Sequence, residues 1–462
     1  MRFFSCFIVR LAIATCYLFT LESGICQAPA IFQPADNKTI LLTSLSSKYE
    51  KQYKEKIKSL PSENKSDFVE LYTHCWENIK DKFESNEIYT SENAQKYLDA
   101  LVAEIVNSNP SLQNKFFNCY FSKTGIPNAS YIGEGVIIFN MGLFNRLENE
   151  SQAVFVLCHE ISHFYLNHIE NSISKYVTTI NSKEFQKELR NINSTEYKKN
   201  ELLDKLVKNV SFNFTRHSRD HESEADSLAV VFMKNTHFDI REAISTLTLL
   251  DSIDTDTLNI GKCLEKTFNA KEYPFKKKWI AKEEGLLGGH AKLDEDNELA
   301  DSLKTHPDCK KRIKLLEPAI KQYANATAEK NRLNTATFDA MRKIFPYEIA
   351  SFAFDSKNYS RSLFYTLELL QKNPSDPYLV VKIGSIFNNL YLAQKEHILG
   401  KVTDLPSPSY PKNYNLLLQF IQNLYKEDYA LIGYHYLQQY SPSMEYYAPF
   451  KDVFKASIQI NK

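Results

Sequence analysis

Residues 154–168 read Val-Phe-Val-Leu-Cys-His-Glu-Ile-Ser-His-Phe-Tyr-Leu-Asn-His, and the rest of the chain is organised around this stretch. It is largely apolar and contains neither Pro nor Gly, which favours a buried α-helix. Because residues four apart share one face of a helix, His159 and His163 would present two imidazoles to one point that can hold a metal. Glu160 follows directly, so its carboxylate can reach a water bound to that metal. The alternative is a helix whose histidines are ordinary core or surface residues.

A second stretch, residues 218–229, reads Ser-Arg-Asp-His-Glu-Ser-Glu-Ala-Asp-Ser-Leu-Ala and continues into an apolar run. Its acidic start and apolar continuation predict another helix. Glu222 and Asp226 are four apart and share a face, whereas Glu224 points elsewhere. One of the two carboxylates can bind a metal while the other hydrogen-bonds a ligand imidazole. An ordinary acidic helix surface is the alternative, and the paired histidines upstream weigh against it.

Together the two stretches resemble peptidase family 48 of the metalloproteases, which includes HtpX, the CAAX prenyl endoprotease and the mitochondrial Oma protease. The motifs are His159-Glu160-Ile161-Ser162-His163 and Ser218-Arg219-x-x-Glu222-x-x-Ala225-Asp226. The resemblance extends over residues 92–316. Its flanking matches are Asn128-Ala129, Gly142-Leu143, His168, Thr305-His306-Pro307 and Arg312-Ile313.

The resemblance implies an α+β, mostly helical metalloprotease domain of the gluzincin type with a small sheet. It implies one Zn²⁺ per chain, held by His159, His163 and Glu222. Glu160 would be the catalytic general base that activates a zinc-bound water, and Asp226 the orienting or proton-handling carboxylate.

Several details of such a site stay open. Ser162 stands where relatives often have Gly, a change that we expect to be harmless. His306 is a candidate gate or extra ligand, or it caps the next helix. The oxyanion donor is not identified, and the candidates are His217, Arg219, His221 and His306.

The first residues have the layout of a secretory leader. Arg2 and Arg10 precede the mostly apolar run 11–21, and small residues follow at 24–28. This pattern predicts a signal peptide over residues 1–26, cleaved near Cys26 or Gln27, and an uncleaved anchor is the competing interpretation. With no later apolar run long enough to span a membrane, the chain resembles the soluble, exported branch typified by the periplasmic β-barrel assembly-enhancing protease. We therefore expect an exported, periplasmic or otherwise extracytoplasmic protein with no membrane span after signal cleavage.

Composition excludes some classes of partner. Lys plus Arg and Asp plus Glu both number 56 among 462 residues, so electrostatics give no case for nucleic acid. Removing the leader discards Cys6, Cys16 and Cys26 and leaves five cysteines, at positions 75, 119, 158, 263 and 309. An odd number leaves at least one thiol free unless it pairs between chains.

The chain is long enough for several domains. A polar helical segment is predicted at 27–90, with one or two helices, the metalloprotease domain at 91–325 and a C-terminal helical region at 326–462. Within the protease domain we predict strands at 115–121 and 135–140, the second as an exposed edge able to take up a peptide or as an inner strand. Helices are expected at 92–109, 237–250 and 310–323, with a solvated helical insertion at 170–209 and a flexible loop at 285–290.

The C-terminal region resembles tetratricopeptide repeats. A helix at 359–370, a turn at 373–377 and a helix from 378 form one unit, and helices at 414–425 and 428–440 form a further pair. Fewer than three repeats cannot form an independent solenoid, so these helices should dock on the protease domain.

We therefore predict an exported zinc endopeptidase that hydrolyses misfolded or unassembled polypeptides, with the C-terminal helices as candidates for binding an envelope protein partner. The alternative is a chaperone-like polypeptide-binding protein in which the helical region dominates and proteolysis is weak or gated.

Overall fold

The computed structural model describes residues 31–35, 38–195, 219–252, 258–281 and 309–461. Some of the predictions lie outside these ranges. They concern the leader at 1–26, the end of the helical insertion at 196–209, His217, the loop at 285–290 and the 305–307 motif with His306.

Two long helices, α1 (Thr39–Ser59) and α2 (Lys65–Glu84), form the N-terminal helical pair. They pack through aromatic rings, and the Tyr49 and Phe83 ring centroids lie 5.6 Å apart. Tyr49 also contacts the sheet, since its hydroxyl lies 3.0 Å from the hydroxyl of Tyr120. The predicted one or two helices are therefore two, and they are anchored to the next part of the chain.

A three-stranded sheet follows α3 (Glu92–Ser108), the helix predicted at 92–109. Its strands are β1 (Asn118–Ser122), β2 (Ala129–Tyr131) and β3 (Val136–Asn140), in the order β1-β3-β2. β3 pairs in parallel with β1 and antiparallel with β2. Of the two alternatives left open for the strand at 135–140, the structure therefore shows the inner strand, and β1 and β2 are the two edge strands.

The turn before β3 depends on glycine. Gly133, Glu134 and Gly135 all have positive φ, at 105°, 48° and 70°. A Cβ on Gly135 would lie 2.6 Å from the carbonyl oxygen of Phe116, so the close approach also requires glycine. This turn returns the chain from β2 to β3 and so places the edge strand.

Helices of the central region pack around the sheet. They are α4 (Met141–Phe144), α5 (Glu150–Tyr165), α6 (His168–Ile180), α7 (Lys183–Asn193), α8 (219–234) and α9 (Glu242–Ser252). Every residue of α5 from Glu150 to Ser162 is buried, which confirms the predicted buried helix. The helix predicted at 237–250 begins later, at Glu242. α6 and α7 account for the described part of the predicted helical insertion.

The remaining helices complete a mostly helical α+β fold, as predicted. They are α10 (Ile260–Phe268), α11 (Cys309–Tyr323), α12 (Thr335–Asp355), α13 (Tyr359–Lys372), α14 (Pro377–Lys395), α15 (Leu399–Val402), α16 (Lys412–Gln422), α17 (Lys426–Met444) and α18 (Ala448–Ile460). α13 with α14, and α16 with α17, coincide closely with the two predicted helical pairs.

Two large hydrophobic cores hold the molecule together, and both cross residue 325. The first surrounds α5 and includes Phe338 and Phe345 of α12. The second lies among the C-terminal helices and includes Phe268 of α10 and the fully buried Trp279. Side chains from both sides of residue 325 therefore share both cores.

Two further findings concern the described part of the chain. No helix there combines the length and the apolar composition that crossing a membrane would require. No disulfide joins the five cysteines that lie in it.

Candidate metal centre

The N-terminus of α5 fixes the position of the two histidines. The Asn149 side chain accepts the backbone N–H of Gln152 and so caps the helix. Glu150 is fully buried, and its carboxylate accepts backbone N–H groups of residues 332, 333 and 334 and the hydroxyl of Tyr97. A helix held this firmly at its start presents its later turns in one orientation. Ser162 fits within it, since its hydroxyl donates to the carbonyl of Cys158 at 2.7 Å.

α8 runs past α5 and brings Glu222 against both imidazoles. The Nε2 atoms of His159 and His163 lie 3.0 Å apart. One Glu222 oxygen lies 3.4 Å from His159 Nε2, and the other lies 3.4 Å from His163 Nε2. The three side chains predicted as ligands therefore converge on one point.

The spacing of these donor atoms suits zinc. A tetrahedral ion with ligand bonds of about 2.1 Å has ligand atoms about 3.4 Å apart. The observed separations of 3.0 to 3.4 Å match that edge length. Two imidazole nitrogens facing each other at 3.0 Å also need a proton or a cation between them. The residues present therefore fit a zinc ion with two nitrogen ligands and one oxygen ligand.

Asp226 lies behind His159, on the side away from the other donors. Its Oδ1 is 2.9 Å from His159 Nδ1, so that nitrogen carries the hydrogen and Nε2 is left as the ligand atom. Arg312 of α11 binds both oxygens of Asp226, at 2.6 and 2.8 Å. A third Arg312 nitrogen, Nη1, lies 3.2 Å from Glu222. Asp226 is 1% exposed, and both of its oxygens already have partners. The geometry therefore favours its orienting role over a proton-handling one.

These contacts also set the charges of the site. Burial disfavours charge on His159, yet hydrogen bonds to Asp226 and Glu222 raise its pKa to about 10. Burial likewise raises the pKa of Glu222, but its contacts with the two histidines outweigh this effect and hold that pKa well below its usual range. The pKa of Asp226 is lowered against the effect of burial by the Arg312 guanidinium and by His159. Both carboxylates are therefore ionised at neutral pH, and a metal entering the site must displace a proton.

Glu160 is placed by the edge strand. Its Oε2 accepts the backbone N–H of Tyr131 in β2 at 2.7 Å. Asn140 N–H donates to the Asn128 carbonyl, and Ile132 N–H donates to the Val136 carbonyl. Backbone groups alternate in direction along a strand, so the groups of Ala129 and Tyr131 face away from β3. The general-base candidate and an open strand edge therefore lie side by side.

A cavity of about 320 Å³ opens onto this arrangement. Residues 128–131 of the edge strand line it together with His159, Glu160, His163 and Glu222. Arg219 and His221, two of the four candidate oxyanion donors, are not among its lining residues. The other two, His217 and His306, lie outside the described residues.

Sequence reasoning missed three contributors. Arg312 and His168 were noted only as flanking matches, yet Arg312 binds two site carboxylates and His168 Nδ1 lies 2.8 Å from His163 Nδ1. The sequence signal for His168 was its place five residues after His163. The third is β2, whose three residues are too few for a recognisable alternation.

Comparison with known proteins agrees with this geometry. Residues 92–320 match the model of peptidase family M48. The match supports the family resemblance seen in the sequence, and with it a zinc metallopeptidase that acts on polypeptides. A comparison with curated proteins gave no match to the chain.

Proposed function

We propose that this chain is a zinc-dependent endopeptidase of family M48, with His159, His163 and Glu222 as the metal ligands and Glu160 as the general base. One observation carries the proposal. Two imidazole nitrogens 3.0 Å apart each lie 3.4 Å from an oxygen of Glu222, and the fixed carboxylate of Glu160 lines the same cavity. A purely structural zinc site would normally be closed by four protein ligands, whereas three leave a position open.

When bound, zinc would polarise a peptide carbonyl and lower the pKa of water at the open position. The chain's own residues do the rest. Glu160 is held by Tyr131 N–H through one oxygen, and the carboxylate can take a proton from the attacking water and pass it to the leaving amine. Asp226, held by Arg312, keeps His159 in the orientation and tautomer that the metal requires.

The open edge of β2 supplies a way to hold the substrate. The N–H and C=O of Ala129 and the C=O of Tyr131 face away from β3 and can pair with an extended peptide, as an added strand would, whereas the Tyr131 N–H is already bound to Glu160. Such pairing depends on hydrogen bonds to the peptide backbone rather than on particular side chains, and it requires an extended segment. This supports misfolded or unassembled polypeptides as the substrate class.

The proposal is tested by replacing Glu160 with Gln. We expect E160Q to bind one equivalent of zinc and to unfold like the wild type, and to cleave an unfolded, fluorescently labelled protein about 10²–10⁴-fold more slowly. Mass spectrometry of the fragments should show cuts inside the chain, which distinguishes an endopeptidase from an exopeptidase. E148Q is the matched control, since Glu148 is an exposed carboxylate beside the start of the same helix.

Equal cleavage by the wild type and E160Q would remove the enzyme assignment. Suppression of aggregation without any cleavage would instead favour the chaperone-like alternative.

We also propose that the protein is exported. The support is the basic start, the apolar run at 11–21 and the small residues at 24–28. Intact-mass analysis of protein from the extracytoplasmic fraction should show a chain that begins near residue 27. A chain that still begins at Met1 would contradict cleavage of the leader.

A further inference from the structure

A second group of titratable side chains lies next to the metal centre on the side of His163. It comprises His168 at the start of α6 and His221 and Glu224 of α8. His168 is almost fully buried, and its ring stacks on that of His221 at a centroid distance of 4.1 Å and an angle of 9°. The stacking fixes the plane of the His168 ring and leaves its two nitrogens to face other partners.

Both nitrogens of His168 have such a partner. Nδ1 lies 2.8 Å from Nδ1 of His163, and Nε2 lies 3.2 Å from Oε2 of Glu224. His163 turns its own Nε2 towards Glu222, so its hydrogen belongs on Nδ1 when Nε2 holds a metal. His163 therefore donates to His168 Nδ1. His168 in turn carries its hydrogen on Nε2 and donates it to Glu224.

We propose that His168 and Glu224 are positioning residues for the metal ligand His163, linked to it by two successive hydrogen bonds. This inference rests on the proposed function only in taking His163 as a zinc ligand. In the chain from Glu224 through His168 to His163 both imidazoles are neutral, and each N–H meets an acceptor. It orients the His163 ring, fixes its tautomer and increases the basicity of its Nε2.

The two histidine ligands are thus supported differently. His159 Nδ1 lies 2.9 Å from Asp226 itself, which is 1% exposed and held on both oxygens by Arg312. On its Nδ1 side, His163 is linked to the carboxylate of Glu224 through the imidazole of His168, and the Glu224 side chain is 62% exposed. The support of His163 is therefore the weaker of the two, because an exposed carboxylate competes with water for the hydrogen bond.

His168, His221 and Glu224 could instead hold a second ion, since their ligand atoms all lie within 4.8 Å of one another. Proton balance argues against this use while zinc occupies the first site. The Nε2 atoms of His163 and His168 would then each bind a metal, and their Nδ1 atoms, which face each other, would share one hydrogen. One of the two rings would have to lose its last N–H proton, which a neutral imidazole gives up far less readily than an imidazolium does. The hydrogen-bonded chain needs no such ionisation.

The test uses the full chain, stripped of metal and titrated with Zn²⁺ against a chromophoric chelator. His168→Phe keeps a ring and removes both nitrogens, and we expect it to weaken zinc binding about 10–100-fold. His168→Asn returns an acceptor near the place of Nδ1 and should recover most of that loss. His237→Phe is the matched control, because His237 forms an exposed pair with Glu104 at 3.0 Å and should bind zinc like the wild type.

A second pair of variants changes only the exposed end of the chain of hydrogen bonds, where folding is not at risk. Glu224→Leu removes the acceptor, and we expect zinc binding to weaken about 3-fold. Glu224→Gln keeps an acceptor oxygen and should stay within experimental error of the wild type. The Co²⁺ absorption spectrum should shift in His168→Phe and not in the control, because a merely structural role would leave the ligand field unchanged.

Unchanged zinc affinity in Glu224→Leu together with either an unfolded or an unchanged His168→Phe would overturn the inference. So would two equivalents of Co²⁺ in the wild type, with the second lost in His168→Phe, since that result would make the group an ion site. All readouts are metal binding. Failure of the wild type to cleave peptides would therefore remove the proposed function and leave this inference standing, whereas failure to bind zinc would remove both.

Discussion

At the scale of single residues, Arg312 holds together the charges around the metal centre. It is 4% exposed and contacts Asp226 through two nitrogens and Glu222 through a third. Its contact with Asp226 is bidentate, the arrangement that makes an arginine–carboxylate pair strong. Without it, the buried carboxylate of Asp226 and the partly exposed carboxylate of Glu222 would have only the site histidines beside them.

We therefore predict that Arg312→Met destabilises the zinc-free protein by about 3–5 kcal/mol, the usual result of removing one partner of a buried ion pair. Urea unfolding monitored by circular dichroism measures the change. Saturating zinc should restore part of the loss, because the cation would then neutralise Glu222. Arg332→Met is the control, since the Arg332 side chain is 37% exposed and its ion pair with Glu329 spans 4.0 Å. A loss in Arg312→Met no larger than in the control would contradict the role given to Arg312.

The residues that chemistry demands were the easiest to predict from sequence. His159, His163 and Glu222 were identified because ligand types at helical spacing carry a specific signal, and the structure brings all three together. The residues that support them were harder to predict. Glu224 and Arg312 act through contacts between distant segments, which no local spacing encodes, and the five-residue spacing of His163 and His168 is not that of two ligands on one helix face.

At the scale of elements, the edge strand β2 connects the fold with the proposed substrate. Ala129 lies at a position whose N–H faces away from β3, so that hydrogen is not needed for the sheet. Proline is tolerated at such positions of an edge strand. The N–H can therefore be removed without breaking the ladder.

We predict that Ala129→Pro keeps the fold and zinc affinity and raises KM for an unfolded polypeptide about 2–10-fold, the effect of one lost hydrogen bond. Ala129→Val is the control, because it adds comparable bulk to this buried position and keeps the N–H. Steady-state kinetics on a quenched fluorescent peptide separates KM from kcat. Equal KM values for the two variants would show that the peptide does not pair at this position.

A second element-scale contact joins the C-terminal helices. Asp404, after α15, accepts hydrogen bonds from Arg361 at 2.7 Å, Tyr414 at 2.8 Å and Asn358 at 2.8 Å. Burial raises the pKa of Asp404, but the Arg361 and Tyr414 contacts outweigh this effect and lower it. A folded-state pKa below the unfolded one stabilises the fold at all pH values above the unfolded pKa. That stabilisation is lost as pH falls through the folded pKa, below about pH 4.

Asp404→Asn should accordingly lower the free energy of unfolding by about 1–3 kcal/mol at pH 7. The difference from the wild type should shrink as the pH is lowered below about 4, because the wild-type carboxylate then becomes protonated too. Thermal unfolding at a series of pH values measures both effects. Asp452→Asn, at an exposed position of α18, should show neither. A difference that stays constant down to pH 3 would rule out ionisation of Asp404 as its source.

Long helices with a clear apolar stripe were predicted well, because period and capping are local properties. The helix predicted at 92–109 is Glu92–Ser108, and it buries Ala94, Tyr97, Leu98, Leu101 and Ile105 along one stripe, with Val106 of the same predicted stripe only partly buried. The strands were predicted less well. The apolar run at 135–140 does not say which partners it has, and pairing with both β1 and β2 is decided by segments elsewhere in the chain.

At the scale of the whole molecule, the C-terminal region is part of the scaffold that supports the metal centre. α12 contributes Phe338 and Phe345 to the core around α5, and the backbone N–H groups of residues 332–334 bind Glu150 at the start of that helix. In return, Phe268 and Trp279 pack among the C-terminal helices. Sequence composition suggested a division at residue 325 because the patterns differ there, but composition does not reveal which side chains share a core.

A chain that ends at residue 325 should therefore fail to form a stable metal centre. It would lose the backbone N–H groups of residues 332–334, which donate to the Glu150 carboxylate, and Glu150 would stay buried without those donors. Each buried polar group left unsatisfied in this way costs about 1–3 kcal/mol. It would also expose Trp279, because the fully buried ring of this residue packs in the core formed by the C-terminal helices. Together these losses are comparable to the whole stability of a typical domain, about 5–15 kcal/mol.

We expect the truncated chain to bind a hydrophobic dye, to unfold without a cooperative transition and to bind zinc weakly. A chain ending at residue 444 is the control, because it removes α18, which lies outside the core around α5, and it should keep zinc affinity. Cooperative urea unfolding of the 325-residue chain with the zinc affinity of the full chain would show that the protease domain stands alone, and that the contacts across residue 325 serve the C-terminal helices only.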